Sequence, residues 1–397
     1  MSTISLRSLR HAARQLTAQP GFSLFAMFSL AIGLAATVTL FSTVDTLLFA
    51  PVPGIGAPAG LVELGGTRDN GTFDSFSAPD FDDYATRAKG FADLFAYRHE
   101  SLNIDASGEP QRALGVLVSG HYFDALQVRA YRGRVLDAND DRSGAAPAVV
   151  ATYAGWRKYF DGDEAIVGKP VSINGHAFTL VGVTDPDFHG TIALLTPAFY
   201  APLHQLPLLK PGSAKLLDSR ESSWLSLGAR LATGTSPALA ARQLSAIAVQ
   251  LASEYPRPNR HGRIGIDVFP LRAVPAFLRG GLIAFSVLLF ALVSLLLLVA
   301  CVNVASMLLA RGENRRHEIA VRYVLGARRS HVIAQLLTES LLLSLAACAI
   351  GVALSAACCR LLAHLDLPTP VPVSVQISLN ATALWFAFAC AVLTALA

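Results

Sequence analysis

Residues 280–310 read GGLIAFSVLLFALVSLLLLVACVNVASMLLA and contain no charged side chain. A helix needs about 20 apolar residues to cross a bilayer, so this stretch predicts a transmembrane helix. Similar apolar stretches occupy 21–45, 332–362 and 380–397, and Glu339 is an acidic residue inside 332–362. The chain of 397 residues is 53% hydrophobic and 15% charged, whereas soluble domains have about 25% charged residues. The sequence therefore predicts a membrane protein with four transmembrane helices.

Two of these apolar stretches leave an alternative open. Residues 21–45 could be a signal peptide, but they are longer than an apolar signal segment of about 7–15 residues, so we expect an uncleaved helix. Residues 380–397 are just long enough to cross the membrane, and they reach the end of the sequence. We therefore expect the fourth helix to be truncated, in a fragment or in one half of a longer protein.

The distribution of arginine predicts the orientation, because positively charged loops stay on the cytoplasmic side. The amphipathic segment 1–20 and the loop 311–331 are rich in arginine, whereas 363–379 contains neither Lys nor Arg. We therefore expect the N-terminus and 311–331 in the cytoplasm. The long segment 46–279 and the loop 363–379 then lie outside, and the protein is a multi-pass protein of the inner cell membrane.

The second transmembrane stretch is unusually long. A helix over 280–310 measures roughly 46 Å, against a hydrocarbon core of about 30 Å. Tilt alone does not absorb this difference, so we expect part of the helix to project from the membrane as a stalk. A broken or re-entrant helix is the alternative. Arg272 and Arg279, at the outer end of this helix, count weakly against the predicted orientation.

The extracytoplasmic segment 46–279 has the pattern of an inserted α+β domain. Asn174-Gly175 lies between alternating residues, which predicts a two-residue type I′ hairpin over 171–180. Ser236 followed by Pro237 predicts the start of a helix that continues to about Glu254. Further strands are predicted at Ala148–Thr152, Leu61–Leu64 and Ile264–Phe269.

Candidate catalytic and metal-binding patterns in the chain are weak. The acidic clusters at 80–83 and 137–141 lack the spacing of a calcium-binding loop, so solvated loops or helix caps are the favoured interpretation. All five cysteines lie in apolar stretches, which excludes a disulfide framework in the extracytoplasmic domain. A phosphate loop for ATP is missing from the sequence, and a net charge of +4 does not indicate nucleic acid. We expect no catalytic residue, no cofactor and no metal site.

The cytoplasmic loop and two extracytoplasmic segments indicate a family. The loop lies in the stretch 300–351, which contains RGENRRHEIAVRYVLGARRSHVIAQLLTESLLL (311–343). The extracytoplasmic segments are SGHYFDALQVRAYRGRVLDANDD (119–141) and AVVATYAGWRKYFDGDEAIVGKPVSINGHAFTLVGVTDPDF (148–188). Taken alone, the loop could lie on anionic lipid headgroups. Together the three segments resemble the MacB/FtsX-like ABC transporter permease family, with a MacB-like periplasmic domain and an FtsX-like permease domain. The chain looks most similar to one half of a tandem permease.

The resemblance implies a function for particular residues. Glu318, Arg322, Gly326 and Ala327 match the family segment that docks on a cytoplasmic ATPase, and Glu339 matches an acidic residue early in the third helix. Glu318 and Arg322 would form an i,i+4 pair, and Gly326 would end the coupling helix. We expect Glu339 to pair with a basic residue such as Arg322, or to lie at headgroup level. Asn303 is either a helix–helix contact or a tolerated polar residue.

These observations favour a permease subunit of a mechanotransmission-type ABC exporter, which is not itself an enzyme. Its expected partners are a cytoplasmic ABC ATPase, a second permease half or an identical subunit, a periplasmic adaptor and membrane lipid. The alternative is an FtsX-like signalling or scaffold protein that switches an extracytoplasmic partner. The sequence does not decide between export and signalling.

Overall fold

The computed structural model describes residues 20–49, 52–68, 73–105, 110–192, 195–256, 263–314, 329–363 and 380–396. These residues divide into two compact units. The α/β unit comprises the described residues of 47–280, and the helical unit comprises the described residues of 20–46 and 281–396.

The α/β unit is built on one mixed sheet. Its strands in the described residues are β1 (Leu61–Arg68), β2 (Phe73–Asp74), β3 (Phe91–Asp105), β4 (Pro110–Val118), β5 (Ala130–Gly133), β6 (Ala148–Ala151), β7 (Pro170–Ile173), β8 (His176–Thr184), β9 (Phe199–Pro202), β10 (Ser226–Leu231) and β11 (Arg263–Pro270). The strand order is β11-β1-β10-β3-β4-β9-β6-β8-β5, with β2 beside β1, and β7 beside β3 and β8. Two pairs, β4·β9 and β6·β8, are parallel.

Six α-helices accompany the sheet in the described part of this unit. They are α2 (Ala78–Arg87), α3 (Tyr122–Leu126), α4 (Tyr153–Phe160), α5 (Leu206–Leu209), α6 (Ala214–Asp218) and α7 (Pro237–Glu254). Apolar side chains of α2, α4 and α7 pack in a first core with one face of the sheet. The other face packs with α3, Phe188 and Leu271 in a second, aromatic-rich core. The sheet is therefore covered on both faces, as expected for an α+β domain.

The two local predictions for this unit are confirmed. Val171 pairs with Phe178 across the hairpin, and Asn174 and Gly175 both have positive φ, 50° and 80°, as a type I′ turn requires. The predicted inward residues of the hairpin are all buried: Val171, Ile173, Phe178 and Leu180. Helix α7 begins and ends where the sequence predicts, and the Ser236 side chain caps it by accepting from the Leu239 N–H.

The three other predicted strands also exist. Residues 148–151 form β6, and Thr152 instead caps α4 by accepting from the Gly155 N–H. The strands predicted at 61–64 and 264–269 correspond to β1 and β11, which are longer and pair with each other.

The helical unit contains four described helices: α1 (Pro20–Leu48), α8 (Ala276–Asn314), α9 (Arg329–Ala363) and α10 (Ala381–Leu396), of which α1 and α8 extend into the α/β unit. Three of them contain candidate membrane spans by length and composition, at Ser23–Leu48, Ala276–Met307 and Leu337–Leu361. Helix α10 has 16 residues and is shorter than a typical span of about 20. The predicted count of four transmembrane helices stays a prediction.

Small residues allow close packing among three of these helices. Helix α10 has buried alanines at every fourth position, namely Ala383, Ala387, Ala391 and Ala395. Gly351 of α9 lies against α1, because a Cβ there would come within 3.0 Å of the Ala31 carbonyl oxygen. Such small-residue contacts are the usual means of helix association in membranes, where apolar burial from water offers no driving force.

Helix α8 is continuous over 39 residues, so the alternative of a broken second helix is wrong for this structure. At 1.5 Å per residue it is about 58 Å long. Only 6% of the residues in its most apolar stretch are buried, against 44% for α1. Its packing with α1 and α9 includes Ala300 and Val304.

Candidate coupling site

The residues predicted for ATPase coupling lie outside the described residues. Glu318, Arg322, Gly326 and Ala327 all fall in 315–328, so their assignment stays a prediction, as does the pairing of Arg322 with Glu339.

The two polar residues predicted inside the membrane stretches occupy different surroundings. Asn303 is exposed on α8. Glu339 is buried on α9, 7% exposed, next to the equally buried Thr338. Asn303 thus lies at the surface of the helical unit, whereas Glu339 lies in its interior.

A site that the sequence did not predict lies where the chain enters and leaves the sheet. The chain reaches the sheet through β1, soon after α1, and leaves it through β11, just before α8. These strands are antiparallel neighbours, with Val62 opposite Pro270. The Leu271 N–H also donates to the Leu61 carbonyl oxygen at 3.0 Å. The entry and exit points of the α/β unit are therefore fastened to each other.

Glu63 of β1 lies at this junction and is 3% exposed. Its Oε2 accepts a hydrogen bond from the Ala276 N–H at 2.9 Å, and Ala276 is the first residue of α8. The first backbone N–H groups of a helix lack partners within the helix, and a carboxylate also interacts favourably with the N-terminal end of the helix dipole. The Glu63 side chain, which comes from the sheet, thus caps the N-terminus of α8. The residues just before α8 do not provide such a cap.

Arginines complete the junction. The Arg279 guanidinium lies 3.5 Å from Glu63 Oε2 and donates to the carbonyl oxygens of Val274 and Pro270, each at 2.9 Å. Arg272 donates to the Phe49 carbonyl oxygen just after α1. These contacts give Arg272 and Arg279 structural roles. An arginine held by tertiary contacts is weak evidence for the side of the membrane on which it lies, so the two residues no longer count against the predicted orientation.

Arg230 holds the segment that leads from α1 into β1. Its guanidinium donates to the carbonyl oxygens of Gly56 and Ala57 at 2.8 Å each and to that of Ala125 at 2.6 Å. Burial lowers the pKa of Arg230, with nearby Asp93 opposing this effect. The planar guanidinium fits several carbonyls at once, so one side chain ties the entry segment to the end of α3.

A polar contact also joins two helices of the helical unit. Asn380 Nδ2 donates to Asp45 Oδ2 at 2.5 Å, and Asn380 Oδ1 accepts from the Ala383 N–H at 2.9 Å, which caps α10. The C-terminal end of α1 and the N-terminal end of α10 are therefore adjacent.

The acidic clusters noted in the sequence form ion pairs. Arg220 binds Asp80 and Asp83, and Arg134 binds Asp140. Asp141 accepts from the backbone N–H groups of Gly120 and His204. Within the part of the chain that the structure describes, no group of three or more His, Cys, Asp or Glu side chains is arranged to hold a metal ion.

Glu63 escaped the sequence analysis because it looks like an ordinary outward residue of an alternating strand. The available signal was its position: residues 61 and 63 of a strand share a face, and Leu61 is apolar. A carboxylate on the same strand face as Leu61 means either that this face is exposed or that the charge is buried with Leu61. The sequence alone does not distinguish these two possibilities.

Family models match both parts of the chain. The MacB-like periplasmic core domain matches residues 23–247, and the FtsX-like permease C-terminal domain matches residues 283–397. The macrolide export ATP-binding/permease protein MacB of Neisseria gonorrhoeae is 22% identical over 244 residues, which cover 60% of this chain and 34% of that protein. MacB of Escherichia coli is 30% identical over 97 residues, 24% of this chain and 15% of that protein. The chain therefore spans about a third or less of these relatives.

A solved structure is also similar. The periplasmic region of MacB from Actinobacillus actinomycetemcomitans matches with a TM-score of 0.40 and 16% sequence identity, covering 55% of this chain and 90% of that one. The two family models together account for both apolar and extracytoplasmic parts of the sequence, in the order that the resemblance implied. The chain belongs to the MacB/FtsX-like family of ABC transporter permeases, as a multi-pass membrane protein with an inserted extracytoplasmic domain.

Proposed function

We propose that this chain is the permease subunit of a mechanotransmission-type ABC exporter. It acts on substrate at the extracytoplasmic face, and a separate cytoplasmic ATPase drives it. The chain itself has four transmembrane helices, a cytoplasmic N-terminus and no enzymatic activity. Its membrane partner is a second permease half or an identical subunit, and a periplasmic adaptor receives the substrate.

The observation that supports this function most is the continuity of α8. The helix begins at Ala276, which is hydrogen-bonded to the sheet through Glu63, and it is described without a break to Asn314. Asn314 lies inside the predicted coupling loop 311–331. A continuous helix is a stiff element, so a displacement applied at the cytoplasmic loop reaches the extracytoplasmic sheet without a break in the backbone hydrogen bonds.

The contact between Asp45 and Asn380 supports the four-helix topology. The end of α1 and the start of α10 are adjacent, as expected if both lie on the same side of the membrane. The two apolar helices between them, α8 and α9, would then supply the two crossings that such an arrangement needs. Helix α10 begins on that side with its cap at Asn380.

The coupling loop is the proposed docking site of the ATPase. Glu318, Arg322, Gly326 and Ala327 form its core, with Glu318 and Arg322 paired on one helix face and Gly326 at the helix end. The curated relatives are named ATP-binding/permease proteins, and this sequence contains no phosphate loop of its own. The proposal assigns ATP hydrolysis to the separate ATPase that docks at this loop.

The proposal is tested by purifying the full chain in detergent and measuring ATPase activity in the eluate. The variant Glu318→Ala/Arg322→Ala/Gly326→Pro is compared with the wild type and with Arg132→Ala, a control at an exposed ion pair of the α/β unit. We expect the wild type and the control to retain co-purified ATPase activity and the triple variant to lose it.

Two other outcomes contradict the proposal at different points. Equal ATPase activity in all three samples shows that the loop is not the docking site. A folded wild-type protein without any ATPase activity argues against a stable transporter complex, and it favours a signalling or scaffold protein instead.

A further inference from the structure

Glu63 occupies a buried position of the sheet, where an apolar side chain is expected. Val62 and Leu64 of β1 belong to the first core, whereas Leu61 belongs to the second core. Glu63 lies on the same strand face as Leu61, and its side chain is 4% exposed. A charged residue is almost never so fully buried unless it is paired.

The hydrogen-bond and ion-pair partners of Glu63 in the described residues lie at the start of α8. The carboxylate receives the Ala276 N–H at 2.9 Å and faces Arg279, one turn further along the helix. Arg279 in turn binds the last residue of β11, Pro270, and the turn residue Val274. The first turn of α8 is therefore held to both β1 and β11 by directional polar contacts.

Stability alone does not explain this arrangement. Burial raises the pKa of Glu63 above its ordinary value of 4.5, and the opposing effects of the Ala276 N–H and Arg279 are smaller. Desolvation thus outweighs the contacts that favour the charged form. Buried ion pairs are often matched or exceeded in stability by apolar residues of similar volume, and their best-attested role is to fix one arrangement of two elements.

We propose that Glu63 and Arg279 are positioning residues, which hold the first turn of α8 at a single angle and register on β1 so that movement of α8 reaches the sheet. This role rests on the proposed function, in which α8 transmits movement. An apolar pair at the same positions would pack equally well but would leave the first turn free to rotate and slide, because van der Waals contacts lack directionality.

The experiment measures a distance between two spin labels in the full chain, without nucleotide or ATPase. The five native cysteines are replaced by alanine, and labels are attached at Phe277→Cys on α8 and Tyr131→Cys on β5, two exposed positions. Through β7, which pairs with both β3 and β8, the path from β11 to β5 crosses six strand spacings of about 4.8 Å. These spacings amount to about 30 Å, so the distance between the labels is measurable.

The variant Glu63→Met/Arg279→Met is compared with Arg87→Met/Glu254→Met, which removes a partly exposed ion pair between α2 and α7. We expect the wild type and the Arg87/Glu254 control to give one narrow distribution of distances between the labels. In the Glu63/Arg279 variant this distribution should broaden, while the urea unfolding midpoint stays unchanged or rises.

If Glu63→Met/Arg279→Met keeps a narrow distribution of distances between the labels, the proposal is wrong. It is also wrong if the distribution broadens and the urea unfolding midpoint falls, because the pair then only stabilises the fold. If that variant does not fold, Glu63→Gln is used, because it keeps the size of the side chain and the acceptor for the Ala276 N–H but loses the charge. A broadened distribution of label distances in Glu63→Gln supports the proposal, and a distribution like that of the wild type overturns it. Because this measurement needs no ATPase, its failure is distinguishable from failure of the proposed function, which the co-purified ATPase activity tests.

Discussion

His99 should make the α/β unit less stable in acid. It lies on β3 with its ring 5.9 Å from that of Tyr97 in an edge-to-face contact. Burial lowers the pKa of His99 from 6.5 to about 4, and the charge of Arg98 adds to this effect. The neutral imidazole is therefore the form that the folded protein accepts.

The sign and size of the effect follow from proton linkage. Between pH 6.5 and about 4 the unfolded chain binds a proton at His99 that the folded chain does not bind. Stability therefore falls as the pH falls through this window, by about 1.4 kcal/mol per pH unit and about 3 kcal/mol in total. His99→Phe removes the titrating group and should flatten the dependence of unfolding free energy on pH between 7 and 4.

Urea unfolding followed by tryptophan fluorescence measures this effect. Trp156 and Trp224 are buried in the α/β unit, and Trp385→Phe removes the remaining tryptophan. His204→Asn is a control of opposite sign: hydrogen bonding to Asp141 raises the pKa of His204, so its stabilisation is present in acid and lost as the pH rises. His204→Asn should therefore lose more unfolding free energy than the wild type as the pH falls. A pH profile of His99→Phe that matches the wild type would refute the reasoning.

Two further substitutions test the packing of the helical unit and the entry segment. Gly351→Leu should lower the thermal unfolding temperature of the detergent-solubilised protein, because its Cβ would meet the Ala31 carbonyl oxygen at 3.0 Å, and overpacking costs about 1–3 kcal/mol. Gly281→Leu, at a glycine with no atom within 4 Å, should not, and equal effects would contradict the predicted crossing of α1 and α9. Arg230→Lys should speed proteolysis of residues 52–60, because an ammonium cannot replace three guanidinium bonds to backbone carbonyls. An unchanged cleavage rate would show that Arg230 does not fasten this segment.

The features that the sequence predicted well are local ones. The Asn174-Gly175 turn fixes the register of its hairpin through two residues with positive φ, and Ser236-Pro237 marks the start of α7. The apolar stretches likewise mark the long helices, because span length and composition are properties of a single segment. In each case the physical cause lies within a few residues of the feature.

The junction could not be predicted in this way, because its parts come from distant segments. Strand β1 pairs with β11 some two hundred residues later, and β10 separates β1 from β3. Glu63 has meaning only once Ala276 and Arg279 are known to lie beside it. Arg272 and Arg279 were ambiguous for the same reason, since charge near a membrane stretch can report orientation or serve a tertiary contact.

The packing of the helical unit separates one helix from the other three. Alanines bury one side of α10, where Ala395 accepts a hydrogen bond from Ser340 of α9, and Gly351 brings α9 against α1. Thr39 of α1 also donates to Ser355 of α9 at 2.9 Å. Helix α8 also approaches α1 closely where Gly33 faces Leu297, but only 6% of the residues in its most apolar stretch are buried. Helix α8 is therefore hydrogen-bonded to the sheet through Glu63 and leaves most of its apolar surface exposed, as the transmitting role proposed above requires.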